Sequence, residues 1–426
     1  MTVTQQIPRA GKIALVLPLL MALSSVLGTP VRAAGPQPAP AAQLSNGFEQ
    51  YVLTAADGTT EGFFGTTVAL DGGLAVIGNP ANTANPNSKE RVYVFERTSD
   101  GWTQRAELAA ADGVLGDGFG TSVAVGQGAI LVGAPNKKQA SGERGAVYVF
   151  PETASGFVQG QLELVGPRTS ASFGHAVALS GNTALIGAPN DGSTGAAYVS
   201  TFVNGAWSQP QPLATAASTA AGEFGWSVAI HGATAVVGAP QDSFQGAVYV
   251  FQRTLTGWTQ QQRLTASDAA FGDGLGTSVA LKANILMAGA PDRQNDAGAV
   301  YVYARSWAGW AQQSTVVSPT PAPFAYFGQC VALGALGTFA VIGANGTNNF
   351  MGSAQVFARS LFGTTWTGLG ARLTPADQAQ GDDFGASCAL GAAGILVGAP
   401  ETNTATGAAD IFTPSGPGFN PGDDNA

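Results

Sequence analysis

The sequence predicts an all-β protein, a seven-bladed β-propeller of four-stranded antiparallel blades, and three observations support this prediction. First, 59 of the 426 residues are glycine and only 11% are charged, a composition typical of strands joined by tight turns. Second, a phrase that opens with Phe-Gly (once Leu-Gly) and closes with Gly-Ala-Pro (once Gly-Asn-Pro and once Gly-Ala-Asn) recurs seven times. Third, each repeat contains four strand-like segments. Self-similarity at a fixed period indicates a stacked array or a propeller.

The N-terminus has the pattern of an export signal. Arg9 and Lys12 precede an apolar run over residues 13–28, and Val31-Arg32-Ala33 fits a small-x-small cleavage site. The run is short for a membrane span, and no cysteine follows it that could carry a lipid anchor. We therefore predict a signal peptide over residues 1–33, with a retained anchor as the alternative. Residues 34–46 are predicted to be an extended linker. The protein is predicted to be secreted, extracellular or at the cell surface, and the periplasm is also possible.

The charge balance excludes one class of partner. Removing residues 1–33 takes away three basic residues and no acidic ones, so the net charge changes from −9 to −12. A chain this acidic repels phosphate backbones, which argues against nucleic-acid binding. No other apolar stretch is long enough to span a bilayer. We expect a soluble, exported, acidic protein.

Two marks define each repeat. The interval from the Phe-Gly mark to the Gly-Ala-Pro mark is fourteen residues in six copies and sixteen in the sixth, and successive Phe-Gly marks lie 51 to 57 residues apart. The first mark begins at Phe64, Phe119, Phe173, Phe224, Leu275, Phe327 and Phe384, and the second at Gly78, Gly133, Gly187, Gly238, Gly289, Gly343 and Gly398. We expect the glycine after the phenylalanine to allow a close approach and the turn into the strand.

The four strand-like segments differ in apolar content, and this difference gives their order in a blade. The first two are typified by residues 64–70 (FGTTVAL) and 74–78 (LAVIG), the third by 147–150 (VYVF) and the fourth by 102–108 (WTQRAEL). The second and third are apolar throughout, as expected for strands covered on both faces. The fourth alternates apolar and polar residues, as expected for an outer strand partly in water. Such units are propeller blades.

Strand counting predicts how the ring closes. The fourth segment follows its own blade six times, but the last blade ends at residues 408–412 (AADIF) without one. Residues 48–58 (FEQYVLTAADG) supply the missing copy, because their LTAAD matches LTASD at 264–268. We therefore predict that the N-terminal strand completes the last blade and removes an open sheet edge. The predicted propeller spans residues 47–413, and residues 414–426 form a disordered tail.

The marks resemble the FG-GAP repeat of the integrin α-subunit N-terminal propeller and of many exported bacterial proteins. The resemblance covers residues 48–412 and implies a propeller that binds ligands on one rim. Integrin-type repeats commonly carry a calcium loop of the form DxDxDG between the first and second strands. Here that connection is a short turn, such as residues 71–73 (DGG), with too few oxygen ligands for calcium. We therefore expect no calcium and no other cofactor or metal.

Carboxylates recur in pairs before the Phe-Gly marks, and two interpretations are open. In the first, the carboxylates form a weak divalent-cation site or an acidic rim for a cationic partner. In the second, they stabilise the turns: the first aspartate caps its own turn and the second is solvated. Regular recurrence favours turn chemistry. The pairs are Asp112 with Asp117, Asp268 with Asp273, Asp377 with Asp382 and, more loosely, Asp57 with Glu61.

The ligand-binding candidates lie on the loops between second and third strands and beside the central axis. These loops are polar and vary in length, and such loops on a rigid scaffold are where binding usually resides, although each could be a solvated turn. His175 and Trp226 occupy the second position after the phenylalanine, where they either bind a small ligand such as a sugar or fill the channel mouth. The loop candidates are Asn190, Asp191, Gln241, Asp242, Asp292 and Arg293.

Catalytic motifs are missing from the sequence. His175 and His231 are the only histidines, and no Ser/His/Asp set or phosphate-binding loop is present. A hydrolase that uses two carboxylates is the remaining enzymatic alternative. Cys330 and Cys388 lie on first strands of the last two blades, where they form either an inter-blade disulfide or two buried free thiols. Their one-residue offset favours free thiols.

The sequence thus favours a non-catalytic binding or adhesion module for a protein or glycan. A structural component of the cell surface or matrix, without a discrete ligand, is the second hypothesis.

Overall fold

The computed structural model describes residues 32–33, 43–45, 48–57, 62–81, 83, 85, 88–139, 142–143, 145–159, 163–165, 171–215, 219, 221–334, 336–360 and 363–414. The apolar run of the predicted signal peptide, most of the predicted linker, Glu61 and nearly all of the predicted tail lie outside these residues. Within them, no helix is long and apolar enough to cross a membrane.

The described residues form seven antiparallel blades, which confirms the predicted fold class. Blade 1 consists of Thr67–Asp71, Leu74–Asn79, Arg91–Thr98 and Gly101–Leu108. Blade 2 consists of Ser122–Gly126, Ala129–Ala134 and Ala146–Thr153, with its outer strand in two pieces, Gly156–Phe157 and Glu163–Val165. Blade 3 consists of Ala176–Ser180, Thr183–Ala188 and Ala196–Val203, with the outer pieces Ala206–Trp207 and Gln211–Pro212.

Blades 4 to 7 complete the series. Blade 4 consists of Ser227–His231, Thr234–Ala239, Ala247–Thr254 and Gly257–Leu264. Blade 5 consists of Val279–Lys282, Ile285–Ala290, Ala299–Ser306 and Gly309–Val316, and blade 6 of Val331–Leu333, Phe339–Gly343, Ala354–Ala358 and Thr367–Leu373. Blade 7 consists of Ser387–Gly391, Gly394–Ala399, Ala408–Pro414 and the N-terminal strand Phe48–Leu53.

The N-terminal strand is paired in the last sheet. Phe48–Leu53 runs antiparallel to Ala408–Pro414, with Phe48 opposite Pro414 and Leu53 opposite Ala409. Further short strands are Arg32–Ala33 beside the outer strand of blade 1, Gln43–Ser45 beside Phe48–Leu53, and the hairpin Lys138–Gln139 with Gly142–Glu143. Short helical turns lie between second and third strands at Asp242–Phe244, Arg293–Asp296, Thr347–Phe350 and Thr402–Ala405.

The two glycines of the repeat have separate steric reasons. The glycine after each phenylalanine has a φ between +91° and +101°, a region that favours glycine, which agrees with the predicted turn. The first glycine of each Gly-Ala-Pro mark faces the carbonyl oxygen of the glycine that follows the phenylalanine in the next blade. A Cβ at this position would overlap that oxygen. The contact recurs from blade to blade and joins Gly398 of blade 7 to Gly65 of blade 1. The repeated phrase is therefore the contact between neighbouring blades.

The phenylalanine of each mark fills the space between blades. Phe119 is 1% exposed, and its ring centroid lies 5.5 Å from that of Tyr148 and 6.0 Å from that of Phe150, both on the third strand of its own blade. The same cluster contains Val76 and Val94 of blade 1. Each core cluster thus joins two blades, so burial of apolar surface stabilises the ring as a whole.

Candidate functional site

The connections that precede each Phe-Gly and those between second and third strands lie on one rim, which we call the loop rim. Backbone hydrogen bonds join them: Gly272 N–H donates to the Phe244 carbonyl (2.6 Å), and Asp383 N–H donates to the Phe350 carbonyl (2.9 Å). The turns between first and second strands and between third and fourth strands form the opposite hairpin rim. Every loop candidate predicted from the sequence lies on the loop rim.

In blades 1 to 5 an aspartate accepts a hydrogen bond from a third-strand tyrosine beneath the loop rim. In blades 1, 2 and 5 the aspartate comes from the connection that precedes the Phe-Gly mark. In blades 3 and 4 it comes from the loop between the second and third strands. The pairs are Tyr93 with Asp57 (2.9 Å), Tyr148 with Asp112 (2.9 Å), Tyr301 with Asp268 (2.7 Å), Tyr198 with Asp191, and Tyr249 with Asp242.

These contacts place the candidates Asp191 and Asp242 below the surface, at 3% and 0% exposure. Asp242 also accepts hydrogen bonds from Arg263 (2.9 Å) and Thr219 (2.7 Å). Burial would raise the pKa of Asp242, but hydrogen bonds from Arg263, Tyr249 and Thr219 outweigh it and lower that pKa.

In two of the carboxylate pairs, Asp112 with Asp117 and Asp268 with Asp273, the aspartates have the reverse of their expected roles. The second aspartate was expected to be solvated, but it is buried and caps the turn. Val114 N–H donates to Asp117 (2.9 Å) and Ala270 N–H donates to Asp273 (2.8 Å). The first aspartate, expected to cap its own turn, instead binds a tyrosine hydroxyl. The prediction was wrong because the tyrosine that reaches the first aspartate lies on the third strand of the blade that this connection enters, 36 residues beyond Asp112 and 33 beyond Asp268.

The described residues contain no cluster of three or more histidine, cysteine, aspartate or glutamate side chains that could hold a metal ion. The first aspartates are also occupied. Hydrogen bonds from Tyr301 and Arg293 lower the pKa of Asp268, although burial acts in the opposite direction.

A cleft of about 730 Å³ opens on the loop rim between blades 5 and 6, and a second cleft, of about 510 Å³, lies away from this rim. The candidate Asp292 lines the cleft on the loop rim, with Asp273 and Asp296 nearby, and burial together with these two charges raises the pKa of Asp292. The candidate Arg293 donates to Asp268 (2.6 Å). Four aspartates and this single arginine are the charged residues among the described lining of the cleft.

Exposed aromatic side chains flank this cleft. Phe244, Phe271, Phe324 and Phe350 are 43% to 81% exposed and follow the loop rim from blade 4 to blade 6; we call them the aromatic arc. Phe244 and Phe271 stack at 5.5 Å between ring centroids, and Phe271 and Phe324 line the cleft. None of the four was among the candidates predicted from the sequence. The available signal was a phenylalanine inside a polar connection, as in residues 268–274 (DAAFGDG).

The remaining loop-rim candidates are dispersed. Asn190 is exposed and donates to Ser172 (2.9 Å), and Gln241 is also exposed. His175 and Trp226 are in contact, with ring centroids 4.6 Å apart. Trp226 is partly exposed, and burial lowers the pKa of His175, so this imidazole is neutral at pH 7.

Cys330 and Cys388 form a disulfide in the structure, with a Cα–Cα distance of 5.8 Å. The preference for free thiols was wrong because Cys330 points towards the next blade. It occupies the third position after the phenylalanine, where Ser122 and Ser278 donate across the blade interface to Gly174 and Gly328 (both 2.7 Å). The offset therefore does not separate the two side chains.

The chain belongs to the FG-GAP repeat family. The family model, described as the FG-GAP repeat, matches residues 48–95, 102–150, 166–200, 207–251, 258–303 and 367–412, which is more than half of the chain. The match omits most of blade 6, whose marks are sixteen residues apart and whose closing mark is Gly-Ala-Asn. Membership and fold define a binding or structural module.

Among solved structures, a chain in the crystal structure of the mitotic checkpoint complex is similar to this protein. The two are 14% identical with a TM-score of 0.54, and the match covers 88% of this chain and 96% of that chain. At this identity the likeness shows the fold alone. No curated protein sequence matches the chain.

Proposed function

We propose that the protein is an exported, non-catalytic binding module whose ligand face is the loop rim of blades 4 to 6. The observation that carries the proposal is the aromatic arc beside the cleft between blades 5 and 6. Soluble proteins rarely leave contiguous large apolar side chains in water, and such patches mark interaction sites. Aromatic side chains also dominate the free energy of binding at protein interfaces. A structural module without a ligand has no comparable need for this arc.

The chemistry of the cleft favours a protein ligand that presents basic and apolar side chains. Asp273, Asp292 and Asp296 give the cleft an excess of negative charge over Arg293. Burial, and after it the nearby charges of Asp296 and Asp273, raises the pKa of Asp292, and an approaching lysine or arginine would relieve the repulsion among these carboxylates. Phenylalanine faces nearby also attract cations. A glycan that stacks on the same rings is the competing ligand.

Export is supported by two independent features. The N-terminal sequence has the order of charged, apolar and small residues found in signal peptides. The disulfide between Cys330 and Cys388 suits an oxidising compartment, because disulfides are rare in the cytosol. An adhesion role would follow if the ligand were carried on a neighbouring cell or matrix.

The test is a selection of displayed random peptides against the immobilised chain starting at residue 34, with a glycan array in parallel. We expect the selected peptides to be rich in lysine or arginine together with apolar residues. Their affinity should fall about tenfold or more in the Phe271→Ser/Phe324→Ser variant, and it should weaken with salt.

Trp307→Ser provides the matched control, because Trp307 is a fully exposed aromatic residue on the opposite hairpin rim. Its affinity for the selected peptides should be unchanged. Equal binding by the Phe271→Ser/Phe324→Ser variant would refute the loop-rim site. Saturable binding of a sugar on the array, with no peptide selected, would identify a glycan ligand. Binding of neither sugars nor peptides would favour a structural module.

A further inference from the structure

A second cavity lies on the hairpin rim, between blades 2 and 3, and the proposed ligand face does not include it. Its volume is about 510 Å³, which is within the range of small-molecule sites. Val149 and Pro151 of blade 2 line it together with Leu179, Phe202 and Trp207 of blade 3. None of the described residues that line the cavity is charged. In a chain of net charge −9, this neutral lining sets the cavity apart from the acidic cleft.

The outer strand of blade 3, whose first piece lines the cavity, is interrupted. In blades 1, 4 and 5 the outer strand is eight residues long, whereas blade 3 has only Ala206–Trp207 and Gln211–Pro212. The Phe202 and Trp207 rings, 5.5 Å apart between centroids, form an aromatic corner of the cavity. Phe202 remains 38% exposed and the adjacent Val203 is 56% exposed.

Comparison among the blades shows that Phe202 is unusual for its position. In six blades the residue here donates its N–H to a carbonyl of the turn between first and second strands, at 2.7 to 2.9 Å. Phe202 donates to Asn182 in this way. The other five blades hold a charged residue at the same place: Arg97, Glu152, Arg253, Arg305 and Arg359. A charged side chain stays in solvent at low cost, whereas an exposed phenylalanine here needs another reason.

The next position shows the same replacement. Thr98, Thr153 and Thr254 donate to a glycine carbonyl within their own hairpin turn, at 2.8 to 3.1 Å. Blade 3 has Val203 instead, whose side chain cannot donate a hydrogen bond. Two neighbouring positions that are polar in these other hairpins are therefore apolar where the cavity opens. Hairpin stability does not require this change, because the other blades form the same turn with polar residues.

We propose that this cavity binds a small uncharged aromatic molecule. A flat ring would pack against the Phe202 and Trp207 rings and against Leu179, which suits offset or edge-to-face aromatic contacts. The amide side chains of Gln127 and Asn182, both in the lining, would orient a ligand that carries one or two polar groups. A charged ligand would lose its hydration without meeting an opposite charge, so it would bind weakly. The site is independent of the loop rim.

The test uses N-phenyl-1-naphthylamine, an uncharged aromatic dye, titrated into the chain starting at residue 34. We expect a saturable increase in dye fluorescence with one site per chain. Phe202→Arg introduces the residue type found at this place in other blades and should weaken binding about tenfold or more. The anionic analogue 8-anilino-1-naphthalenesulfonate should bind at least about tenfold more weakly than the neutral dye.

Two further variants keep the test decisive. Ala206→Trp adds a bulky side chain at an exposed position in the lining, so it should block the dye without disturbing the core. Trp307→Arg removes the fully exposed tryptophan of the blade 5 hairpin and should leave dye binding unchanged. The proposal fails if the dye shows no saturable binding, if Phe202→Arg and Ala206→Trp bind it as the unmodified chain does, or if Trp307→Arg abolishes binding.

Discussion

At the residue scale, the seven blades keep one scaffold while changing the polar residues buried beneath the loop rim. Blades 1 to 5 place a tyrosine on the third strand, whereas blades 6 and 7 place Gln355 and Asp410 at the same position. Asp410 is fully buried, and Gln50 of the N-terminal strand donates to it at 2.7 Å. The second carboxyl oxygen of Asp410 and the amide oxygen of Gln50 have no hydrogen-bond partner among the described residues. A protonated Asp410 would supply the donor that this pair lacks.

This arrangement predicts a pH dependence of stability. Burial raises the pKa of Asp410 from its ordinary value of about 4 to about 7. Between those values the folded chain binds a proton that the unfolded chain releases, so this residue's contribution to the free energy of unfolding falls as the pH rises. The Asp410→Asn variant, whose amide mimics the neutral acid, should be more stable than the unmodified chain by about 4 kcal/mol above pH 8.

Urea unfolding from pH 4 to pH 9 measures the difference. The difference in the free energy of unfolding between Asp410→Asn and the unmodified chain should open between about pH 4 and pH 8 and then stay constant. Asp100→Asn is the control, because Asp100 is exposed in a hairpin turn, and its difference should be small at every pH. A gap that does not change with pH would contradict the assignment.

At the element scale, the blade 7 sheet is shared by the two ends of the chain. Its outer strand Phe48–Leu53 precedes blade 1, and its other three strands close the sequence. Removing that strand would expose the edge of Ala408–Pro414 and leave Asp410 without Gln50. Open sheet edges pair with other chains.

A chain beginning at Thr59 should therefore aggregate or lose cooperative unfolding, relative to the chain starting at residue 34. Thermal unfolding followed by circular dichroism, together with size-exclusion chromatography, measures both outcomes. A chain that ends at Pro414 keeps every strand of blade 7 and should unfold like the parent. If the chain beginning at Thr59 melted like its parent, the N-terminal strand would not be needed to stabilise the ring.

The elements also show where sequence prediction succeeds and where it fails. The blade number was predictable because the glycine marks are steric requirements that recur: a Cβ on Gly187 would overlap the carbonyl oxygen of Gly225 in the next blade. The function of Asp112 was not predictable, since it depends on a tyrosine that only the folded ring brings within reach. The aromatic arc depends on loop conformation and the cavity beside Phe202 on how residues of two neighbouring blades meet, and neither follows from a regular repeat.

At the scale of the whole molecule, the ring presents two faces of different chemistry. The loop rim carries aromatic and acidic residues around a cleft, and the hairpin rim carries a neutral apolar cavity. Both faces depend on a rigid ring, because their residues come from neighbouring blades. The disulfide between Cys330 and Cys388 crosses one blade interface and encloses a sequence separation of 58 residues. Measuring how much this disulfide contributes to the free energy of unfolding would show how stable the blade interface is without a covalent bond.

A comparison of the seven blades indicates which residues could replace the two cysteines of this disulfide. The position of Cys330 is serine in blades 2, 4, 5 and 7, where each serine donates to a glycine carbonyl of the next blade at 2.7 to 2.8 Å. The position of Cys388 is valine in the other six blades. The Cys330→Ser/Cys388→Val variant thus restores the majority residues. We expect the serine hydroxyl of this variant to donate to Gly385, whose carbonyl oxygen faces Gly343 across the same interface.

We expect the stability order to be oxidised chain, then Cys330→Ser/Cys388→Val, then reduced chain. Reduction removes a crosslink worth about 4 kcal/mol, since a loop of this length restricts the unfolded chain. The variant loses the same crosslink but regains an inter-blade hydrogen bond worth about 1 kcal/mol and a well-packed valine. Urea unfolding with and without reductant measures all three, and the variant should not respond to reductant. An unmodified chain that ignored reductant would show that the interface between blades 6 and 7 needs no covalent support.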